Sequence, residues 1–86
     1  MKKLIIKAKH FKGAYFIDIY DCPLAKAGRE QFGEICVEYV DGIDIGGTEY
    51  SHREYGPLEF EKDKIKARGM RYSNKIIKRI ILKPDL

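Results

Sequence analysis

The chain has two cysteines and two histidines, Cys22, Cys36, His10 and His52, the residue types that most often serve as nucleophile, base or zinc ligand. Cys22 directly precedes Pro23 at the start of an expected helix, where backbone dipoles lower a thiol pKa. A nucleophile there needs a base, and His10 and His52 are the two histidines of the chain. A small capping or packing cysteine explains the same position without catalysis, because free cysteines are commonly buried. Together the four have the donor types of a zinc site, yet no two sit at the close spacing of a zinc knuckle. Two cysteines do not make a disulfide framework, and they read as free thiols in a reducing compartment. Gly46-Gly47-Thr48 offers backbone amides for a phosphate, but the strand–loop–helix context and the lysine of a phosphate-binding loop are missing. A bulge or bend in a strand suits it better. The carboxylate pairs Glu59/Glu61 and Asp41/Asp44 fall on short charged stretches that suit a solvated surface. The expectation is a non-enzymatic protein with no catalytic residue, metal or cofactor.

Charge carries more information. Residues 1–12 hold Lys2, Lys3, Lys7, Lys9 and Lys12 without an acid, and residues 62–83 hold nine Lys or Arg against Asp63 alone. Residues 13–61 hold eleven acids against Lys26, Arg29 and Arg53. Cationic ends around an anionic middle make a footprint for nucleic acid or an acidic partner. The same pattern also arises when basic end strands lie beside acidic middle strands and neutralise them.

The elements that must position these groups follow from periodicity. The chain has 86 residues and is 44% hydrophobic, enough for a single domain with a modest core. Its longest apolar runs fall far short of a membrane span. The basic start is cut by Lys7 and Lys9, which argues against a signal peptide and for a cytoplasmic location. Residues 3–11 and 14–21 read as a hairpin closed by Lys12-Gly13. That register places Leu4, Ile6, Ala8, Tyr15, Ile17 and Ile19 on one face. The opposite face then carries Lys7, Lys9, Phe16 and Tyr20, aromatics among lysines as base stacking and phosphate neutralisation require. Arg79 and Lys83 extend it if the last strand adjoins the first. A solvated cross-strand cluster is the plainer account of the same residues.

Pro23 to Phe32 suits a short helix, with Pro in its first turn and Gly33 at its end. Gly28 inside it marks close packing against the sheet. Residues 34–40 and 43–50 read as a second hairpin. A three-residue loop, Val40-Asp41-Gly42, pairs Tyr39 with Ile43 and gathers Ile35, Val37, Tyr39, Ile43 and Ile45. Residues 57–69 fit a short strand through Leu58–Phe60 or a helix starting at Pro57. Residues 74–83 carry a helical stripe but are rich in β-branched residues, which favours a strand. The expected fold is α+β: an antiparallel or mixed sheet of four to five strands with one short helix, in ββαββ(β) order, over residues 1–86 as one domain.

A strand running into D-C-P-L-A-K-A (Asp21 to Ala27), a short helix, and a hairpin containing I-G-G-T (Ile45 to Thr48) resembles small uncharacterised proteins of bacteriophages and mobile elements. The resemblance implies a β-α-β-β core and a phage or prophage setting, and brings no activity with it. The length, tyrosine content and basic terminal strand before Pro84 are similar to filamentous-phage single-stranded-DNA-binding proteins, from whose all-β pattern the helix departs. The leading expectation is a binding protein contacting DNA or RNA through Lys7, Lys9, Phe16, Tyr20, Arg79 and Lys83. The alternative is a protein–protein module, such as a phage inhibitor of a host factor. It would use Glu34, Glu38, Asp44 and Glu49 or an exposed edge strand. No membrane partner is expected, and a homodimer is compatible with so small a sheet.

Overall fold

The computed structural model describes residues 2–39, 41–56, 58–70 and 73–84. Its elements are β1 (Lys2–Lys7), a 3-10 turn (Ala8–Phe11), α1 (Pro23–Phe32), β2 (Cys36–Tyr39), β3 (Gly42–Ile45), β4 (Thr48–Ser51), a second 3-10 turn (Arg53–Tyr55), α2 (Phe60–Gly69) and β5 (Ile76–Pro84). The class is α+β, with one antiparallel five-stranded sheet in the order β1-β5-β4-β3-β2. Among the described residues the order is βαβββαβ rather than ββαββ(β), with two α-helices rather than one. No helix among the described residues is long and apolar enough to cross a membrane.

The ends of the chain meet in the sheet. Leu4 lies opposite Ile80 and Lys2 opposite Leu82, and a bulge at the Ile6/Lys7 step adjusts the register where β1 gives way to the 3-10 turn. Leu4, Ile6, Ile80 and Leu82 are buried in the core, with Ile43, Ile45, Leu24 and Phe60 from the other elements. β5 outruns β1 and pairs Lys83 with Ser51 and Pro84 with Tyr50, so one strand joins both parts of the sheet. Proline tolerates this terminal position because little of the ladder depends on its missing N–H.

Helix α1 forms where its signals place it. The Cys22 thiol sulfur accepts the Ala25 N–H at 3.4 Å, Pro23 opens the first turn, and Gly33 ends it at φ +68°. Gly28 packs on the sheet as expected: a Cβ there would sit 2.8 Å from Cys36 Sγ and 3.1 Å from Ile43 Cδ1. From the same helix Gln31 reaches the outer edge of β1. Its Oε1 accepts the Ile5 N–H at 2.8 Å, and its Nε2 donates to the Ile5 carbonyl.

The first hairpin does not form. After Lys7 the backbone winds into the 3-10 turn, and His10 Nδ1 accepts the Lys7 N–H at 2.9 Å. Residues 14–21 then run as consecutive turns fastened to α1. Asp18 Oδ1 accepts the Tyr20 and Asp21 N–H groups, Lys26 Nζ donates to the Lys12 carbonyl at 2.6 Å, and Arg29 donates to the Tyr20 carbonyl. β1 takes β5 as its partner instead. Tyr15, Ile17 and Ile19 are accordingly exposed, Ile17 to 98%, rather than facing the core with Leu4, Ile6 and Ala8.

The second hairpin exists in a register one residue away from the expected one. Cys36 pairs with Ile45, Glu38 with Ile43 and Tyr39 with Gly42. Cys36, Ile43 and Ile45 are buried, while Ile35 is 71% exposed. Val40, part of the expected loop, lies outside the described residues. Gly42 belongs to β3 because Tyr39 lies across it: a Cβ would fall 1.9 Å from the Tyr50 carbonyl oxygen and 2.7 Å from Tyr39 Oη. The strand expected over 43–50 is itself broken at Gly46-Gly47, whose φ values of +58° and +92° make the tight turn of a third strand. Residues 60–69 are helical, the helix beginning at Phe60 rather than at Pro57, which lies outside the described residues. The last segment is a strand, as its β-branched content favours.

Two glycine substitutions separate close packing from backbone strain. Gly42→Ala is expected to destabilise the fold by at least ~2 kcal/mol, because the Tyr50 backbone must move. Gly47→Ala, with open space around it, is expected to cost about 1 kcal/mol for its left-handed conformation alone. Urea-denaturation midpoints check both.

Candidate functional site

Alternation along β1 turns Lys3, Ile5 and Lys7 away from the helices, and alternation along β5 does the same for Arg79, Ile81 and Lys83. The opposite faces carry Leu4, Ile6, Ile80 and Leu82 into the core, and Lys78 reaches Asp63 of α2 at 3.0 Å. The outer face of the β1/β5 pair is therefore cationic around two isoleucines, with Ile81 exposed to 41%. The Tyr55 hydroxyl accepts the Ile81 N–H at 2.9 Å, which sets a half-exposed ring beside this strand. Lys83 pairs with Glu54. Lys3, Lys7 and Arg79 have no carboxylate partner among the described residues.

Further along the same face, Asp44 of β3 lies opposite Glu49 of β4. The charge separation of the sequence thus becomes a separation in space, with the cationic strands β1 and β5 at one end of the sheet beside anionic strands β4 and β3. Asp44 Oδ1 accepts the Gly47 N–H at 2.8 Å, so the chain's own carboxylate occupies an amide of the Gly-Gly-Thr turn.

Of the six residues expected on one face, Lys7, Arg79 and Lys83 share it. Lys9, Phe16 and Tyr20 do not, because residues 14–21 are not a strand. Lys9 pairs with Glu30 at 2.7 Å. Phe16 packs half-buried against Phe11 and Phe60, at centroid distances of 6.1 and 5.9 Å, with the Lys64 ammonium 5.5 Å from its ring centre. Tyr20 is half-exposed on the turn segment, separate from the sheet face. Lys3, Ile81 and Tyr55 were not singled out in the sequence; the first two were legible from alternation once β1 and β5 are neighbours.

The four sulfur and imidazole groups lie apart in function. Cys22 donates its S–H to Glu38 Oε2 at 2.9 Å, and burial followed by this hydrogen bond pushes the thiol up to about 12. This is the reverse of an activated nucleophile, since the carboxylate needs the thiol proton and repels the thiolate. Cys36 donates to the Glu34 carbonyl at 3.4 Å, and burial raises its pKa as well. His10 is buried; with Nδ1 accepting from Lys7, its Nε2 carries the proton and donates to Glu30 at 3.2 Å. Among the described residues, no cluster of three His, Cys, Asp or Glu is arranged to hold a metal ion.

His52 stands next to a cleft of about 540 Å³, lined by Phe16, Glu38, His52, Leu58, Phe60 and the Glu59–Lys62 turn. The register of β2 aims Glu38 into it, and α2 brings Phe60 and the turn over it. His52 is 4% exposed, and its Nδ1 has no hydrogen-bond partner among the described residues.

Two outcomes follow for these groups. Burial, outweighing the Glu30 hydrogen bond, holds His10 below its ordinary value of 6.5. The unfolded chain then binds the proton more readily, so stability falls as pH drops below 6.5 toward the folded value. Glu30, held below 4.5 chiefly by the Lys9 hydrogen bond, adds a further loss as pH falls through that acid range. Denaturation midpoints measured down this range should decline, and His10→Asn should flatten the upper part of the decline. In iodoacetamide labelling near neutral pH, Cys22 should react only at the rate of opening, and fast native labelling would contradict its pairing with Glu38. No protein-family model matches this chain, and neither the curated proteins nor the solved structures yield a significant match.

Proposed function

We propose that this chain is a small non-enzymatic binding protein, cytoplasmic and of phage or mobile-element setting, that contacts nucleic acid through the outer face of β1 and β5. The observation that carries the reading is the pairing of the two cationic chain ends, which sets Lys3, Lys7, Arg79 and Lys83 on one open face. A row of cations on an uncovered sheet suits a phosphate backbone and releases its counterions. The half-exposed Tyr55 ring supplies a π face on which an unpaired base stacks, with Ile81 as apolar surface beside it, which favours a single strand over a duplex. Fluorescence anisotropy with a labelled single-stranded oligonucleotide at low salt tests it. Lys3→Glu/Arg79→Glu should weaken binding by at least about tenfold, and each lost phosphate contact should lower the salt slope by roughly 1. Tyr55→Ala should weaken binding without changing that slope. Absence of retained oligonucleotide, or indifference to the charge reversal, would sink the reading.

A second reading has its own observation. The turn segment exposes Tyr15, Ile17, Ile19 and Tyr20 together, Ile17 to 98%. Neighbouring exposed apolar side chains of this kind mark protein-interaction surfaces. A protein partner, including a host factor or a second copy, would seat on this segment rather than on the acidic strands. Nuclease-treated pull-downs with Ile17→Asp against the unaltered chain, together with sedimentation over a concentration series, separate these occupants.

A further inference from the structure

We infer that the cleft beside His52 is a binding site for a small organic cation, an ammonium carried on an apolar body. Its size, about 540 Å³, lies in the range of small-molecule sites. One wall is apolar: Phe16 and Phe60 touch at 5.9 Å between centroids, and Leu58 continues it. Rings already in contact leave no gap for a base to enter between them, so a ligand lies along this wall rather than inside it.

The charge of the lining selects the sign of the ligand. Among the described residues, Glu38, Glu59 and Glu61 face the cleft against Lys62, and Lys62 is already held by Glu59 at 3.3 Å. The negative faces of the two phenyl rings act in the same direction. Two features oppose it, the first-turn amides of α2, which Glu59 does not cap with its side chain, and the Lys64 ammonium beside Phe16. Glu59 and Glu61 sit at those amides and offset them. Lys64 stands 5.5 Å from one ring and is not among the residues lining the cleft.

Glu38 is the anchor. Its Oε2 accepts the hydrogen bond of the Cys22 S–H, which fixes the carboxylate while Oε1 has no partner among the described residues. The half-buried setting strengthens a charge-assisted hydrogen bond to an ammonium. Beside it stands an imidazole, 4% exposed, whose Nδ1 makes no hydrogen bond among the described residues. The His52 backbone is tied on both sides, its N–H donating to the Asp41 carbonyl at 2.8 Å and its carbonyl accepting from Tyr55 at 2.9 Å. A fixed, buried ring with an unmet nitrogen is a polar group left over from the packing of the protein alone.

The test is an NMR titration of the full chain with 2-phenylethylammonium, 2-phenylethanol and phenylacetate, three ligands of one body and different charge. The ammonium should give saturable shifts at Phe16, Phe60 and the His52 ring, and bind at least about tenfold tighter than the alcohol. Phenylacetate should not saturate. Glu38→Gln keeps an oxygen for the Cys22 thiol and should weaken the ammonium by about tenfold or more while leaving the alcohol unchanged. If that variant loses its dispersed spectrum, Glu59→Gln/Glu61→Gln at the exposed rim should weaken the ammonium in the same sense. The inference is overturned if the ammonium gives no saturable shift up to ~10 mM, a concentration that reveals even weak fragments. Equal binding of the alcohol or the carboxylate, or shifts that map away from His52, would overturn it too. None of these outcomes depends on the sheet face proposed for nucleic acid.

Discussion

The pairing of β5 with both β1 and β4 is the constraint on which the rest of the molecule depends. Without it the chain is two pieces, an N-terminal strand with nothing to bond and a β2–β4 meander. β5 supplies six partners to β1 and then two to β4. In doing so it presents Ile80 and Leu82 to the same core that receives Leu4 and Ile6. Contacts between segments this far apart in sequence carry a loop-closure cost that grows only slowly with length, so joining β1 to β5 is not prohibitive. It also accounts for the cationic surface, since strands rich in lysine at both ends become neighbours.

The middle condenses around α1. Cys22 caps the helix with its sulfur and donates its S–H as a hydrogen bond to Glu38 of β2, so one thiol couples a helix terminus to a strand. Lys26 and Arg29 then fasten the preceding turns onto the helix, and Ile19 gives its carbonyl to the Glu38 N–H at 2.8 Å. The aromatic cluster of Phe11, Phe16 and Phe60 ties α2 to this unit. Glu38 thus stands where the turns, the helix cap and the cleft converge.

Helix α1 and strand β5 were legible in the sequence because their signals are local: Pro23 and Gly33 bound one, and β-branched residues fill the other. The first hairpin was misread because Tyr15, Ile17 and Ile19 alternate like a strand while their backbone is satisfied in turns around Asp18. Period-two hydrophobicity cannot see that a side chain such as Asp18 offers the backbone a competing partner. The second hairpin slipped by one residue because Asp41-Gly42 is a strong turn signal, whereas Gly42 is needed for the Tyr39 ring and Gly46-Gly47 makes the other turn. That slip hid Glu38, since a shift of one moves each side chain to the opposite face. The cleft was invisible for a deeper reason, as its residues come from four separate elements and share no spacing.

The carboxamide of Gln31 also governs how this sheet can assemble. By accepting and donating to Ile5 it acts as a surrogate strand along the border of the sheet, and Ile19 plays a smaller part of the same role on β2. A second chain adding itself to β1 would first have to displace a helix side chain that is already making both bonds. Growth by strand addition, which has no natural stopping point, is therefore opposed at both borders. Association through a face or through the exposed turn segment remains open to this molecule, and contacts of that kind can close on themselves. A chain of this size keeps its lateral bonds for its own use and leaves its broad surfaces for others.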